Sequence, residues 1–299
     1  MTTDLWGDGA TTGRGASARG FEGEGDELAG GPARLAANPA PVLVQALGVG
    51  KAFSHQKKLN WALRDVDLTV LEGEFVSIIG RSGCGKSTLV RLIDGLISTS
   101  EGTVTFDGKE VKGVPEGIGF VFQEINLLAW RSVLQNVEMG LLPLGFDRAT
   151  RRNRAMAALE LVGLADSAER PPYHLSGGMQ QRVGVARALA LEPRLLLMDE
   201  PFGQLDSFTR EGVQKEFARI SESLGTTVLF VTHDIDEAIM LSSRIIVMGG
   251  SPGKIVDDVT VSLPPKRWSY NVRREPEAIA LRERLSTAVS GSEILQNDR

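Results

Sequence analysis

One glycine-rich stretch constrains the fold of this chain more than any other. Residues 80–88 read Gly-Arg-Ser-Gly-Cys-Gly-Lys-Ser-Thr; they follow an apolar run at 74–79 and precede a helical pattern with apolar residues at 89, 92, 93 and 96. Strand, glycine loop and helix in this order are typical of a phosphate-binding loop, because glycines let consecutive backbone N–H groups turn toward an anion. The start of the helix adds partial positive charge. We therefore predict a nucleotide site here, and not a plain glycine turn with a surface lysine.

The same loop supplies the side chains that a nucleotide site needs. Lys86 can reach the β- and γ-phosphates, and the Ser87 hydroxyl can bind Mg²⁺. Cys84 is either a thiol that lines the phosphate cradle or a small buried residue tolerated there. The nucleotide-binding residues predicted from this stretch are Gly80, Arg81, Ser82, Gly83, Cys84, Gly85, Lys86, Ser87 and Thr88.

Composition narrows the class of protein. The chain has 299 residues, 42% of them hydrophobic, with a formal net charge of −5; this allows a large core and argues against a nucleic-acid partner. No apolar stretch approaches the ~20 residues that a membrane span needs, so a membrane role must come through a partner. The N-terminus lacks the pattern of a signal peptide, and the single cysteine predicts a reducing, cytosolic compartment.

Changes in composition along the chain predict its domain organisation. Residues 1–41 are rich in Gly and Ala and acidic, which predicts a disordered tail, with a docking peptide as the alternative. Residues 42–264 form the main domain, in which β-rich segments before the glycine loop predict an antiparallel sheet. A helical subdomain is predicted at about 127–175, where the arginine-rich stretch 148–154 fits a solvated helix face. Residues 265–299 predict a C-terminal helical tail.

Polar residues follow three apolar runs that read as buried strands. Gln123 follows 118–122, Asp199 and Glu200 follow 195–198, and His233 follows 226–232. In open α/β sheets, ligands bind at the carboxyl ends of the strands. We therefore expect Asp199 to support Mg²⁺, Glu200 to position and deprotonate an attacking water, and His233 to contact the γ-phosphate. The alternatives are solvated strand-end acids and a structural histidine.

Residues 175–182, Leu-Ser-Gly-Gly-Met-Gln-Gln-Arg, form a second candidate anion site. Ser176 can cap the following helix, and Gly177 and Gly178 would let a phosphate approach the backbone N–H groups. One nucleotide seldom needs two phosphate-binding sites from the same chain. The second site therefore points to a second copy of the chain. For the adenine base, Phe53 is the best-placed aromatic ring and Trp61 is its rival.

Together these stretches resemble the ATP-binding subunits of ABC transporters. Residues 80–88, 123, 175–182, 195–200, 205–206 and 233 are similar in order and spacing to the Walker A, Q-loop, signature, Walker B, D-loop and H-loop motifs. The resemblance covers about 42–263. It implies an α/β fold: a P-loop NTPase (RecA-like) core with an antiparallel β subdomain and a helical ABC subdomain. It also implies the cofactors ATP and Mg²⁺. The residues implied are Glu200, His233 and Gln123 for catalysis, Ser87, Gln123 and Asp199 for the metal, and Ser176, Gly177, Gly178 and Gln180 for the nucleotide.

Three shorter stretches, 127–131, 198–203 and 248–255, are similar to the importer branch for nitrate, aliphatic sulfonates and taurine. Gln204, Ala129 and Phe53 depart from that branch, which usually has Ala, Pro and Tyr there. The resemblance implies a homodimer at the cytoplasmic face of the membrane, bound to integral membrane permease subunits and served indirectly by an extracytoplasmic solute-binding protein. The alternatives are an importer of another small solute, a soluble ABC ATPase, and a P-loop kinase or GTPase.

The segment 127–131 also contains a candidate docking surface. Leu127, Leu128 and Trp130 would form an apolar, aromatic surface suited to a short helix from a membrane partner. The alternative is that Trp130 fills the core of the helical subdomain.

Overall fold

The computed structural model describes residues 40–55 and 58–291. The predicted disordered tail lies outside the described residues except for its last two positions, 40 and 41. Within the described part, the strands form two sheets, one of four strands and one of six. Helix α1 leads from the larger sheet to the smaller one, α4–α6 connect strands of the larger sheet, and α2 and α3 precede α4. Their bounds are α1 Lys86–Ile93, α2 Val133–Gly140, α3 Arg148–Leu161, α4 Gly177–Leu189, α5 Ser207–Leu224, α6 Ile235–Leu241 and α7 Pro276–Gly291.

The six-stranded sheet forms the centre of the molecule, with the strand order β10-β9-β3-β8-β7-β6. All neighbouring pairs are parallel except β10 with β9. Every residue of β7 and β8 is buried, as expected for apolar runs that are covered on both faces. The strands are β3 Phe75–Gly80, β6 Ile118–Val121, β7 Leu195–Asp199, β8 Thr227–Val231, β9 Arg244–Gly249 and β10 Lys254–Thr260.

The four-stranded sheet is antiparallel, in the order β2-β1-β4-β5. Its strands are β1 Val42–His55, β2 Lys58–Leu71, β4 Glu101–Phe106 and β5 Lys109–Glu110. Asp107 and Gly108 connect β4 to β5, and both have positive φ, 50° and 71°, as a type I′ hairpin turn requires. The predicted fold class, a P-loop NTPase core beside an antiparallel sheet and a helical region, is confirmed.

The helix after the glycine loop is shorter than the sequence pattern indicates. It ends at Ile93, and Gly95 follows with a φ of 72°, in the left-handed region that stops a helix. Leu96 is therefore not part of the helix and is 48% exposed. The prediction that Leu96 continues the apolar face was wrong, because the i, i+7 spacing extends across this glycine.

The helical region between β6 and α4 packs around buried aliphatic residues of α2, α3 and α4. Helix α2 starts with a capping box: the Ser132 hydroxyl accepts from the N–H of Gln135, and the Gln135 side chain accepts from the N–H of Ser132. The Asp147 carboxylate caps α3. In the arginine-rich stretch, Arg152 pairs with Glu169 and Arg154 with Glu192, both on the surface of the protein. No helix in the described ranges is long and apolar enough to cross a membrane.

Residues 265–291 pack onto the central sheet. Helix α7 covers β9 and α6, and its Ala278 and Leu285 are fully buried in a core cluster with Ile245 and Val247 of β9. Before it, the guanidinium of Arg267 donates to the carbonyl oxygens of Ile239 and Ser242, at 2.7 and 2.6 Å. The C-terminal segment, predicted as a helical tail, thus shares a hydrophobic core with the central sheet.

We predict that Leu285→Ala destabilises the whole domain by about 2–5 kcal/mol, the usual cost of truncating a buried leucine. Ile279→Ala is the matched control on the same helix, because Ile279 is 42% exposed; it should change stability by less than about 1 kcal/mol. Thermal unfolding followed by circular dichroism measures both. An unchanged melting temperature in Leu285→Ala would mean that α7 folds independently of the sheet.

Candidate nucleotide site

The glycine loop lies in close contact with the backbone of neighbouring segments. A Cβ atom at Gly80 would overlap the carbonyl oxygen of Met248, and one at Gly85 would overlap the side chain of Leu63. Gly83, with a φ of 84°, has no heavy atom within 4 Å of its Cβ position. The loop is therefore enclosed on one side and open at Gly83, as a cradle for an anion must be.

Lys86 closes this cradle. Its side chain is 5% exposed, and its ammonium donates to the carbonyl oxygens of Gly80 and Arg81 at 2.9 and 3.0 Å. These neutral partners satisfy its hydrogen bonds but do not balance its charge. A phosphate entering the loop would provide the missing negative charge.

Cys84 faces the core beneath the loop. It is 5% exposed, belongs to the same apolar cluster as Leu63 and Leu89, and its Sγ lies 2.9 Å from the position that a Cβ of Gly80 would occupy. Burial raises the pKa of the thiol above its usual value, an effect that the nearby Lys86 charge opposes. The structure thus supports the second interpretation, a small buried residue, and only the backbone of Cys84 remains for the cradle.

Ser87 and Asp199 form an oxygen pair at the start of α1. The Ser87 hydroxyl donates to Oδ1 of Asp199 at 2.9 Å, and Asp199 is 6% exposed at the end of β7. Burial raises the pKa of the Asp199 carboxyl, opposed by this hydrogen bond and by the Arg91 charge. Gln123 lies exposed just beyond β6, the neighbour of β7. Hydroxyl, carboxylate and amide oxygens are the donors that Mg²⁺ prefers, so these residues fit the ion.

Glu200 leaves the strand immediately after Asp199. Its φ of 45° lies in the left-handed region, and its N–H donates to the carbonyl oxygen of Val231 at 2.9 Å. Its Oε2 lies 3.2 Å from Nδ1 of His233, whose side chain is 62% exposed. This turn gives the Glu200 carboxylate a different partner from that of Asp199, which bonds Ser87. Such a strained conformation in a non-glycine residue is often found at functional sites.

The stretch 175–182 also differs in detail from the sequence interpretation. Ser176 is exposed and caps α4, accepting from the N–H of Met179 at 3.3 Å. Gly178 is buried, and a Cβ there would overlap the side chain of Thr209 on α5, so packing between the two helices requires a glycine at this position. The Gln180 amide donates to the carbonyl oxygens of Pro172 and Leu175, which holds the preceding loop. Ser176 and Gly177 are exposed at the start of α4.

The two candidate adenine rings lie on the β1–β2 ribbon. Phe53 is 45% exposed, with the Lys51 ammonium 5.3 Å from its ring centre. Trp61 is half-buried, and its ring lies 3.0 Å from the Cβ position of Gly50. Pairing of Phe53 with Asn60, next to Trp61, places the two rings on opposite faces of the ribbon. At most one can contact a given base, and Phe53 is the more accessible.

Sequence reasoning missed a largely buried polar cluster beside Glu200 and His233. It consists of Arg210 and Gln214 on α5 and Glu237 on α6. Gln214 and Glu237 are 5% and 6% exposed and share a hydrogen bond of 2.6 Å. Burial raises the pKa of Glu237 to about 7. The sequence does contain one sign of this cluster. Arg210 and Gln214 are spaced i, i+4, so they share a helix face with apolar residues such as Val213.

A parallel sheet, a glycine loop closed by a buried lysine, and a Ser–Asp pair at the adjacent strand end define a P-loop NTPase. The family model described as ABC transporter matches residues 63–203. The nitrate import ATP-binding protein NrtD of Synechocystis sp. is 42% identical over 237 residues, which is 78% of this chain and 89% of that protein. The chain therefore belongs to the family of ABC transporter ATP-binding proteins, and it is an ABC-type ATPase.

Further relatives agree with this assignment. The taurine import ATP-binding protein TauB of Yersinia pestis is 44% identical over 227 residues, which cover 74% of this chain and 89% of that protein. Among solved structures, the dimeric post-hydrolysis state of the ATP-binding cassette MJ0796 bound to ADP and Pi is 36% identical, with a TM-score of 0.65. It matches 74% of this chain and 100% of that chain.

We predict that Cys84 reacts slowly with iodoacetamide in the native protein, with or without MgATP. Its raised pKa means that the thiolate forms only at a higher pH than in a free cysteine, and burial blocks access. Denaturant should accelerate labelling by orders of magnitude, as mass spectrometry would measure. Rapid native labelling that MgATP suppresses would place the thiol in the cradle after all.

Proposed function

We propose that this ABC ATPase is the ATP-hydrolysing subunit of an importer for a small anion such as an aliphatic sulfonate, taurine or nitrate. One observation supports ATP hydrolysis most directly. Two hydrogen-bonded pairs, Ser87 with Asp199 and Glu200 with His233, lie next to each other at the ends of the neighbouring strands β7 and β8. The solute class is supported by the similarity to proteins named for nitrate and taurine import.

In this proposal the loop 80–88 binds the phosphates of ATP. Backbone N–H groups around Gly83 face the phosphate oxygens, and the Lys86 ammonium moves from its two carbonyl partners to the β- and γ-phosphates. Ser87 and Asp199 would hold Mg²⁺, with Gln123 as a further ligand. The bound ion would neutralise part of the charge on the phosphates.

Glu200 acts as the general base. Its carboxylate positions a water for attack on the γ-phosphorus and accepts the proton that this water loses, while the bond to the leaving ADP oxygen breaks. His233 fixes the carboxylate through its contact at Oε2 and presents its exposed ring to the γ-phosphate. The left-handed turn at Glu200 directs this side chain away from the Asp199 side of the strand.

A second copy of the chain completes the site. The exposed start of α4 at Ser176 and Gly177 is a phosphate-binding surface separate from the glycine loop, which supports a dimer that encloses two ATP molecules. The similar bacterial ABC transporter cassette MJ0796 has a dimeric structure, which also favours this arrangement. The acidic net charge is consistent with the absence of a nucleic-acid partner.

The segment 127–131 is the proposed docking surface for the membrane subunits. Trp130 is 79% exposed, so it does not fill the core of the helical region, and Leu128 beside it is half-buried. The buried Asn136 side chain holds this segment by bonding both the N–H and the carbonyl oxygen of Leu128, at 2.7 and 3.1 Å. A rigid segment with an exposed indole is suited to anchor a partner helix. The subunit would then work at the cytoplasmic face of the membrane, with a solute-binding protein acting only indirectly.

We predict that Glu200→Gln binds MgATP like the wild type but hydrolyses it about 10²–10⁴ times more slowly, the usual loss on removing a general base. Because the closed state is then not discharged, this variant should elute as a dimer when MgATP is present. Steady-state phosphate release and size-exclusion chromatography measure the two effects. Wild-type turnover would remove Glu200 from the mechanism.

We also predict that deleting the coding sequence abolishes growth on one of three sole nutrients, tested in order: an alkanesulfonate, taurine, then nitrate. Wild-type protein should restore growth, whereas Trp130→Ala should not, although the purified variant retains its ATPase activity. Val114→Ala, which truncates another exposed apolar side chain (62%), is the matched control and should restore growth. Normal growth of the deletion strain on all three would refute the solute class and leave the ATPase assignment intact.

A further inference from the structure

Glu237 uses both oxygens of a buried carboxylate to join two segments. Its Oε2 accepts from the hydroxyl of Thr232, and its Oε1 accepts from the side-chain amide of Gln214 at 2.6 Å. All three side chains are at most 6% exposed. A polar group buried to this degree is strongly destabilising unless it is hydrogen-bonded, so each bond is expected to persist in the folded protein.

The bonds at Glu237 fix the backbone on both sides of His233. Thr232 precedes it; its hydroxyl accepts from the N–H of Asp234 at 3.0 Å, and its own N–H donates to Ile78 of β3. Asp234 follows His233, and its carboxylate accepts from the N–H groups of Asp236 and Glu237. The loop that carries His233 is therefore tied at each end to Glu237 or to its helix.

Arg210 fixes the other loop beside Glu200. It lies one helical turn before Gln214 on α5, and its guanidinium donates to the carbonyl oxygens of three residues that connect β7 to α5. These are Phe202 at 3.1 Å, Gly203 at 3.3 Å and Leu205 at 2.7 Å. Arg210 and Glu237 line the same small cavity as Glu200 and His233.

We propose that Arg210, Gln214 and Glu237, here called the α5 brace, are positioning residues for hydrolysis. The brace connects the 202–205 loop to the His233 loop through a single turn of α5, so that Glu200, which lies between them, faces His233 in a fixed geometry. This inference rests on the proposed roles of Glu200 and His233. None of the brace residues needs to touch ATP; each acts by holding the groups that do.

The decisive comparison is Glu237→Ala with Glu237→Gln. The alanine removes both acceptors and should lower kcat for ATP hydrolysis about 10- to 100-fold, the scale expected when reacting groups are displaced by an ångström or less. The KM for ATP and the binding of MgATP should stay within about twofold. The glutamine keeps the shape: it accepts from Thr232 and donates to a rotated Gln214 amide, so its kcat should stay within about threefold of the wild type.

Two controls separate the possible results. Glu222→Gln changes an exposed acid on α5, the helix of Arg210 and Gln214, and should leave kcat unchanged; Glu200→Gln is measured in parallel. Wild-type kcat in Glu237→Ala, with Glu200→Gln inactive, overturns the brace alone; normal hydrolysis in both overturns the proposed site as well. A Glu237→Gln variant as slow as the alanine also overturns the brace, because charge and not geometry would then matter.

Gln214→Ala keeps the inference testable if Glu237→Ala does not fold. It leaves Thr232 bonded to Glu237 and removes only the link to α5. The expected result is a fall in kcat of about 3- to 10-fold with an unchanged KM, at the lower end of the range for a misplaced group. An unchanged kcat in this variant overturns the connection through α5.

Discussion

The structure depends on the close approach of the glycine loop to the strands around it. The Gly80 backbone lies against Met248 of β9, Gly85 against Leu63 of β2, and Gly253 against the carbonyl oxygen of Cys84. Any side chain at these positions would separate the loop from the two sheets, because a Cβ atom would lie 2.3, 2.4 and 1.8 Å from these neighbours, respectively. Gly253 also pairs with Leu63 in an isolated bridge, so the antiparallel sheet, the central sheet and the loop meet at one point. This meeting point fixes the loop immediately before the start of α1 at Lys86.

The candidate site residues lie at one edge of the central sheet because the carboxyl ends of parallel strands meet there. Asp199 of β7 lies in register with Val231 of β8, so the residues that follow, Glu200 and His233, start as neighbours. The left-handed turn at Glu200 then brings its carboxylate to the imidazole. The desolvated Asp199 bonded to Ser87 and the more accessible Glu200 therefore occupy different environments one residue apart. Under the proposed function, this difference suits Asp199 to a cation and Glu200 to a water.

Much of this could be predicted from the sequence, because apolar runs, glycine spacing and strand-end polar residues are local signals. They identified the core strands, the glycine loop, and Asp199, Glu200 and His233. The features that sequence reasoning missed depend on contacts between residues that are distant in the sequence. Gly178 is required by Thr209 on another helix, and the thiol of Cys84 is directed inward by the packing under Gly80. The burial of α7 rests on only two fully buried residues, Ala278 and Leu285, too few to give a strong periodic pattern. Glu237 resembles an ordinary acid near a helix start, and only its tertiary partners reveal the brace.

The same packing also relates the nucleotide site to the proposed docking surface. Gln123 and Trp130 lie on one segment, which is attached to α4 at Ile125. The half-buried Arg187 of α4 donates to the Ile125 carbonyl oxygen at 2.9 Å, and the Ile125 side chain lies 3.0 Å from the Cβ position of Gly184. Burial lowers the pKa of Arg187 below its usual value but leaves it charged at neutral pH, so this bond is charge-assisted. Helix α4 begins at the exposed Ser176. Under the proposed function, a shift of Gln123 when the γ-phosphate leaves would therefore act in two directions, on the Trp130 surface toward the membrane partner and on the start of α4 toward the second copy of the chain.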